Sequence, residues 1–201
     1  MADNFAHRAA EWDNPSKTEM TRKFVAALLK KVDVQAAWKA FEIGAGTGLV
    51  GLQILPYVQR MIFEDTSPAM LDVLREKLTG DENIEIVEGE VFNYDKQDID
   101  FVFACMSLHH VPDIEAALKH LNLITKKNAT VVIGDLRTED GSFHRFEPIP
   151  HQGFDTDKLS SQFENAGFQV LDCDTYNTLL RERIPGTMYQ YEQFMLVARK
   201  L

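Results

Sequence analysis

The chain predicts an α/β fold: a doubly wound, mostly parallel sheet of seven strands with an antiparallel strand at its C-terminal end. Three observations carry that expectation. Apolar, strand-like runs alternate with amphipathic stretches, the order that puts crossover helices on both faces of a parallel sheet. A glycine turn, Gly44-Ala45-Gly46-Thr47-Gly48, follows the first run, and a carboxylate pair, Glu64-Asp65, closes the second. The last two runs, Phe168 to Leu171 and Phe194 to Arg199, have no helical stripe between them, so they are antiparallel if they pair.

Ser16-x-x-Glu19 reads as a capping box opening a helix with Met20, Phe24, Ala27 and Leu28 on one face, running to about Lys31. Strand one follows at Ala40 to Ile43. A short helix from Leu49 stops ahead of Pro56, because proline disfavours helical geometry in the residue before it. Met61 to Glu64 is strand two. Ser67 caps the next helix, with Pro68 at its first position, a stripe of Met70, Leu71, Leu74 and Leu78, and Gly80 at its end. Strands recur at Ile84 to Val87, Phe101 to Ala104 and Thr130 to Gly134, the last two separated by a helix from Asp113 to Thr125. A final helix, about Asp157 to Ala166 with Gly167 behind it, leads into Phe168 to Leu171. From Asp172 to Gln190 no helical stripe is visible, and Ile184-Pro185-Gly186 marks a turn.

With no repeat, low-complexity stretch or linker, the chain of 201 residues reads as one domain, 1–201. Leu136 to Phe154 is long for a strand-to-helix connection and carries Phe143, His144, Arg145, Phe146 and His151. We read 136–154 as a substrate-side loop that decides the acceptor, and 1–33, with Phe5 and Trp12, as an N-terminal helical cover.

Gly44, Gly46 and Gly48 let the backbone turn sharply and approach a ligand, and Asp65 can accept from both hydroxyls of a ribose. The expected ligand is an adenosine derivative. Gly46-Thr47-Gly48-Leu49-Val50-Gly51 also satisfies the dinucleotide pattern G-x-G-x-x-G, which would put a pyrophosphate at a helix N-terminus. Strand one ends at Ile43, however, so the turn begins at Gly44, and Glu42 adds negative charge beside such a phosphate. A cationic ligand with a sulfonium and an ammonium suits the site better. At these residues the chain resembles the class I S-adenosylmethionine-dependent methyltransferases, in particular the small ones similar to the quinone-biosynthesis C-methyltransferases.

The resemblance extends along the chain. Asp65-Thr66-Ser67-Pro68-Ala69-Met70-Leu71 is similar to that family's D-x-S-x-x-M-L motif, and Gly89-Glu90-Val91 to its G-D-A. Phe101 to His110 resembles its apolar strand ending in serine, leucine and histidine, and Phe5 to Asp13 its F-x-x-x-A-x-x-[WY]-D opening. Two departures stand out: Glu90 replaces an aspartate, and Lys127-Asn128-Ala129 stands where Pro-Gly-Gly is common. The resemblance implies a Rossmann-like methyltransferase fold and S-adenosyl-L-methionine as cofactor. It implies that Trp12, Glu42, Gly44, Ala45, Gly46, Gly48, Asp65, Thr66, Met70, Glu90, Val91, Phe92, Cys105 and Met106 hold that cofactor. The partner is then a small-molecule methyl acceptor.

Methyl transfer needs alignment first and a base only where the acceptor must lose a proton. His109, His144 and His151 are the catalytic candidates, since histidine titrates near neutrality; His110 reads as a helix cap or a solvent-facing ring. His144 and His151 with Asp135 form a conceivable metal set, but their spacing matches no metal motif, so no metal is expected.

A net charge of −10 argues against nucleic-acid substrates, whose binding rests on clustered Lys and Arg. No apolar run approaches the roughly 20 residues that span a bilayer, and the N-terminus lacks a signal-peptide core. Two cysteines, Cys105 and Cys173, suggest a reducing compartment, so the expected location is cytoplasmic. Two other functions remain open: a noncatalytic S-adenosylmethionine-binding or regulatory protein, and an NAD-dependent oxidoreductase.

Overall fold

In the computed structural model, which describes residues 6–80, 83–145 and 148–201, the chain runs α1 (Pro15–Lys31), β1 (Lys39–Ile43), α2 (Gly51–Ile54), β2 (Arg60–Asp65), α3 (Pro68–Lys77), β3 (Ile84–Glu88), β4 (Ile99–Cys105), α4 (Ile114–Ile124), β5 (Thr125–Leu136), α5 (Thr156–Asn165), β6 (Phe168–Ile184) and β7 (Thr187–Lys200). The strands form one sheet in the order β3-β2-β1-β4-β5-β7-β6. The first five pair in parallel, and β7 is antiparallel to both β5 and β6. The expected sheet, including its antiparallel C-terminal strand, is what forms.

Both faces of the sheet are covered, which is why its central strands read as unbroken apolar runs. Phe41, Ile62, Val102 and Val131 face α4 and α5, meeting Leu118, Leu121, Leu159 and Phe163. Ala40, Met61, Phe63, Phe103 and Val132 face α1 and α3, meeting Phe24, Leu28, Leu71 and Leu74. Strand order reverses between β1 and β4, so their carboxyl ends open a crevice, the place where doubly wound sheets bind ligands.

Helix starts follow their capping side chains, with two shifts from the sequence reading. Ser67 caps α3 as expected, its Oγ accepting from Met70 N at 3.3 Å. At α1 the cap is Asn14 and not Ser16: Asn14 Oδ1 accepts from Lys17 N at 3.0 Å, and Pro15, with its fixed φ, occupies the first helical position. Ser16 is then inside the helix, its hydroxyl accepting from Arg181 Nη1 at 2.7 Å. Helix α5 starts slightly earlier than expected, because Asp155 accepts from Asp157 N and Lys158 N. Helix α2 ends at Ile54, and Pro56 lies in the 3-10 turn Leu55–Tyr57 that follows.

The largest correction is in the tail. Asp172 to Gln190, where the sequence shows no helical stripe and a turn at Ile184-Pro185-Gly186 and assigns no strand, belongs to β6 and β7, which pair from Phe168↔Lys200 to Ile184↔Thr187 around the Pro185-Gly186 turn. Pairing of β7 with β5 stops at Leu136↔Gln193. Beyond that point the hairpin is a two-stranded arm with both faces largely wet, which is why its sequence shows no apolar alternation. The long loop is also more ordered at its base than expected. Phe154 N donates to Leu136 O at 2.9 Å, Thr138 N to Phe154 O at 3.0 Å and Glu139 N to Gln152 O at 3.0 Å, so its two ends are tied together.

Phe24 couples α1 to the sheet. A Cβ at Gly134 in β5 would lie 2.3 Å from Phe24 Cε2, so the glycine admits the ring, which also meets Tyr176 edge-on at 5.9 Å. Phe24 is fully buried. Phe24→Ala is expected to cost about 3–5 kcal/mol, read as a lower urea midpoint at unchanged slope.

Candidate active site

The first half of the site is built at the carboxyl ends of β1 and β2. Gly44 leaves β1 at φ 64. A Cβ there would sit 2.4 Å from Ser107 Cβ, and Ser107 Oγ donates to Ile43 O at 2.6 Å. Gly48 is filled in the same way by Leu74, 2.5 Å from where a Cβ would be. Gly46 differs: the nearest atom to a Cβ there is Trp12 Nε1 at 3.9 Å. Of the three glycines expected to admit a ligand, two admit neighbouring side chains and only Gly46 faces open space, under Trp12.

Carboxylates ring this turn. Gly44 N donates to Glu64 Oε2 at 3.3 Å and Gly46 N to Asp65 Oδ2 at 2.6 Å, while Asp65 Oδ1 accepts from Ser67 N at 2.8 Å. Glu42 is 2% exposed, and its Oε2 makes no hydrogen bond of normal geometry. A Cβ at Gly51 would lie 2.2 Å from that oxygen, so the glycine that completes the dinucleotide pattern makes room for a carboxylate and not a phosphate. Burial, followed by the charge of Asp65, drives the Glu42 carboxyl well above its usual range. Burial and then Asp65 push Glu64 up to about 8. Three acids on one dry edge repel one another, and a cation with a ribose relieves them by taking the lone pairs they still offer.

The N-terminal segment lies over this turn. Asp13 accepts from Thr47 Oγ1 at 2.5 Å and pairs with Lys77 at 2.5 Å, and the Lys17 ammonium sits 2.7 Å from the centre of the Trp12 ring. Burial lowers Lys17 to about 8, with Arg8 adding to the effect. Phe5 lies outside the described residues.

The second half forms where β4 and β5 end. Met106 takes a left-handed φ of 57, rare for a residue with a side chain. Its N–H donates to Gly134 O at 2.8 Å, and its sulfur accepts from Gln193 Nε2 at 2.9 Å. The 3-10 turn Leu108–His110 follows. His109 is 1% exposed, with Nδ1 2.7 Å from Asp135 Oδ1 and its backbone N–H donating to Oδ2 at 3.1 Å. A carboxylate only accepts, so Nδ1 carries the hydrogen and Nε2 the lone pair of the neutral ring. That Nε2 has no hydrogen-bond partner among the described residues. His110 stands 4.2 Å from His109 between ring centres, and burial, then His109 and His144, push it down to about 3.

His144 joins them from the loop, 4.9 Å from His109. The 3-10 turn Ser142–His144 that carries it is held by the hairpin arm: Ser142 Oγ and Tyr191 OH hydrogen-bond at 2.6 Å, and Phe143 meets Tyr191 edge-on with Arg183 over its ring at 4.9 Å. His151 is elsewhere. Its Nε2 donates to Val111 O at 3.0 Å and its N–H to His109 O at 3.2 Å, so it straps the histidine turn from behind and is not brought into the cluster. Phe146 lies outside the described residues.

A glycine turn ringed by acids lies at the switch point of this sheet, and the comparisons point to methyltransferases. The methyltransferase domain family matches residues 41–131. Over that stretch the chain resembles the class I S-adenosylmethionine-dependent methyltransferases. An uncharacterised methyltransferase of Oceanobacillus iheyensis is 28% identical over 133 residues, 63% of this chain and 61% of that protein. Demethylmenaquinone methyltransferase of Staphylococcus saprophyticus is 26% identical over 138 residues, 65% and 59% respectively. The chain thus spans about three fifths of the length of these curated relatives. In fold it is similar to the methyltransferase of a Haloferax volcanii complex with the Trm112 methyltransferase activator, at 15% identity and TM-score 0.82, covering 99% of this chain and 98% of that one. A solved S-adenosylmethionine-dependent methyltransferase of Aquifex aeolicus shares the fold at 18% identity and TM-score 0.71, covering 98% of each chain.

Of the residues expected to hold a cofactor, Trp12, Glu42, Gly44, Ala45, Gly46, Gly48 and Asp65 lie around one turn, with Thr66 exposed beside Asp65 and Met70 buried in the first turn of α3. Glu90 is exposed and caps the turn Val91–Asn93. The Val91 side chain goes into the core with Phe41, and Phe92, 43% exposed, meets His120 edge-on at 5.3 Å, so neither side chain packs on the glycine turn. Cys105 turns toward Tyr176, burial raising its thiol well above the usual value. His110, expected as a helix cap or a solvent-facing ring, packs on His109, and Tyr191 and Arg183, which no motif marks, hold the Ser142–His144 turn.

Two outcomes follow from these carboxylates. Glu64 ionises near 4.5 in the unfolded chain and near 8 when folded, so the unfolded state loses its proton first. Its contribution is whole below about pH 4.5 and lost by about pH 8. The melting temperature of cofactor-free protein should fall over that interval, and fall less in Glu64→Gln; equal slopes would remove Glu64 from the effect. Asp65→Ala should lower S-adenosylhomocysteine affinity more than tenfold in calorimetry, as loss of charged hydrogen bonds worth about 1.5–3 kcal/mol requires.

Proposed function

We propose that the protein transfers a methyl group from S-adenosylmethionine to a small acceptor that is activated at the His109 side of the cleft. The buried His109–Asp135 pair carries this reading. When bound, the cofactor supplies an electrophilic methyl on a sulfonium that leaves as a neutral thioether. Glu42, Glu64 and Asp65 offer the acceptor oxygens that suit its cationic and ribose parts, and Gly46 and Trp12 border the space. Across the sheet edge, Asp135 holds the His109 ring and keeps the Nε2 lone pair turned away from itself, and activation of the acceptor's nucleophilic atom depends on that lone pair.

A small acceptor is favoured over a nucleic acid by the net charge of −10. Among the described residues no helix is long and apolar enough to cross a membrane, and we place the protein in the cytoplasm. The Gly51 and Glu42 arrangement weighs against a nicotinamide dinucleotide, and the His109–Asp135 pair favours an enzyme over a cofactor-binding protein without activity.

His109→Asn tests the reading. Asparagine can still donate to Asp135 but has no counterpart of Nε2. With an acceptor identified by mass-spectrometric screening for a gain of one methyl, turnover of His109→Asn should drop at least about a hundredfold, and S-adenosylhomocysteine affinity should stay within about threefold. Full turnover in the variant would remove His109 from the chemistry.

A further inference from the structure

Three imidazoles meet at the acceptor side of the cleft. One ring nitrogen of each of His109, His110 and His144 lies within 4.8 Å of the other two. Two of them come from one 3-10 turn and the third from the turn Ser142–His144, which the hairpin arm holds in place through Tyr191. Packed imidazoles attract one another weakly, and a buried ring nitrogen without a partner is costly. His109 Nε2 is such a nitrogen, in a side chain 1% exposed. Its other nitrogen is bound by Asp135, itself fully buried and also accepting from Leu136 N at 2.7 Å. A carboxylate behind a histidine, fixing its tautomer and raising its basicity, is the outer support that metal-ligating histidines require.

We propose that His109 Nε2, His110 and His144 bind one divalent transition-metal ion, with an open coordination position for the acceptor's nucleophilic oxygen, nitrogen or sulfur. Three neutral imidazoles and no directly bound carboxylate suit zinc, cobalt(II), nickel or iron(II) and not magnesium or calcium. Bonds of about 2.0–2.1 Å set tetrahedral neighbours roughly 3.4 Å apart, so the nitrogens close in by at most about 1.4 Å, within reach of ring rotation on the two turns. Three protein ligands leave the fourth place open. An acceptor X–H bound there releases its proton to solvent more readily, and the freed lone pair on X takes the methyl. This assignment of the open position rests on the methyl-transfer reading; the ion site does not.

The test uses tag-free, chelator-stripped full-length protein titrated with cobalt(II) and zinc. One cobalt(II) per chain with intense visible absorption, displaced by zinc, is expected. His110→Ala and His144→Ala, at half-buried positions, should each weaken zinc binding at least about tenfold, and Asp135→Asn about 10–100-fold. Added azide should shift the cobalt spectrum by occupying the open position. No stoichiometric uptake by the wild type, or uptake unchanged in His110→Ala and His144→Ala, overturns the site, and an azide-insensitive spectrum overturns the open position. Calorimetry with S-adenosylhomocysteine, run without metal, separates the two readings: metal uptake in a protein that ignores this ligand keeps the ion site and discards methyl transfer.

Discussion

Ser107 stands where a side chain at Gly44 would stand, and its hydroxyl closes onto the last carbonyl of β1. That interlock joins the ends of the two strands between which the sheet changes direction. Gly44 begins the cofactor turn, and Ser107 is followed at once by Leu108 and His109. The turn that faces the cofactor and the turn that faces the acceptor therefore share one joint. Close-packed interiors transmit small displacements, so the distance between the two halves of the site is set by strand pairing and not by flexible loops. A larger residue at position 44 would push on Ser107 and, through it, on the His109–Asp135 pair.

The two halves differ in charge, and the difference fits what each must hold. Glu42, Glu64 and Asp65 crowd one edge, where burial and then the charge of Asp65 raise the carboxyls of Glu42 and Glu64. The other edge carries imidazoles, with the buried carboxylate of Asp135 engaged by His109 and by the backbone of Leu136. On the proposed reading, the first edge suits the cationic and ribose parts of the cofactor, and the second suits the acceptor.

The β6–β7 arm explains how a long connection becomes precise enough to carry a histidine of the cluster. Loops of that length lose much entropy on ordering. Here the ends of the loop are tied to each other beside β5, and its middle is gripped through Ser142 and Phe143 by Tyr191 and Arg183. The arm extends beyond the third strand that would support it, and its contact with the loop gives both segments a partner.

The chain itself determined the α/β order, because strands buried on both faces must be apolar throughout and helices must start at residues such as Ser67 that satisfy their free amides. It also determined the glycine turn, whose residue types follow from backbone conformation, and placed the acid Asp65 beside it. The shift of the first cap from Ser16 to Asn14 is a local competition that Pro15 decides. Other features had no local signature. Only tertiary packing could show that Gly44 and Gly48 make room for Ser107 and Leu74 while Gly46 lies under Trp12, since that depends on what the elements opposite each glycine place there. Only packing could separate His144, carried to His109, from His151, turned to Val111, because the two share one loop and one residue type. The arm was illegible for a related reason: a hairpin wet on both faces has no apolar alternation to read, and its pairing is made by backbone groups that every residue carries.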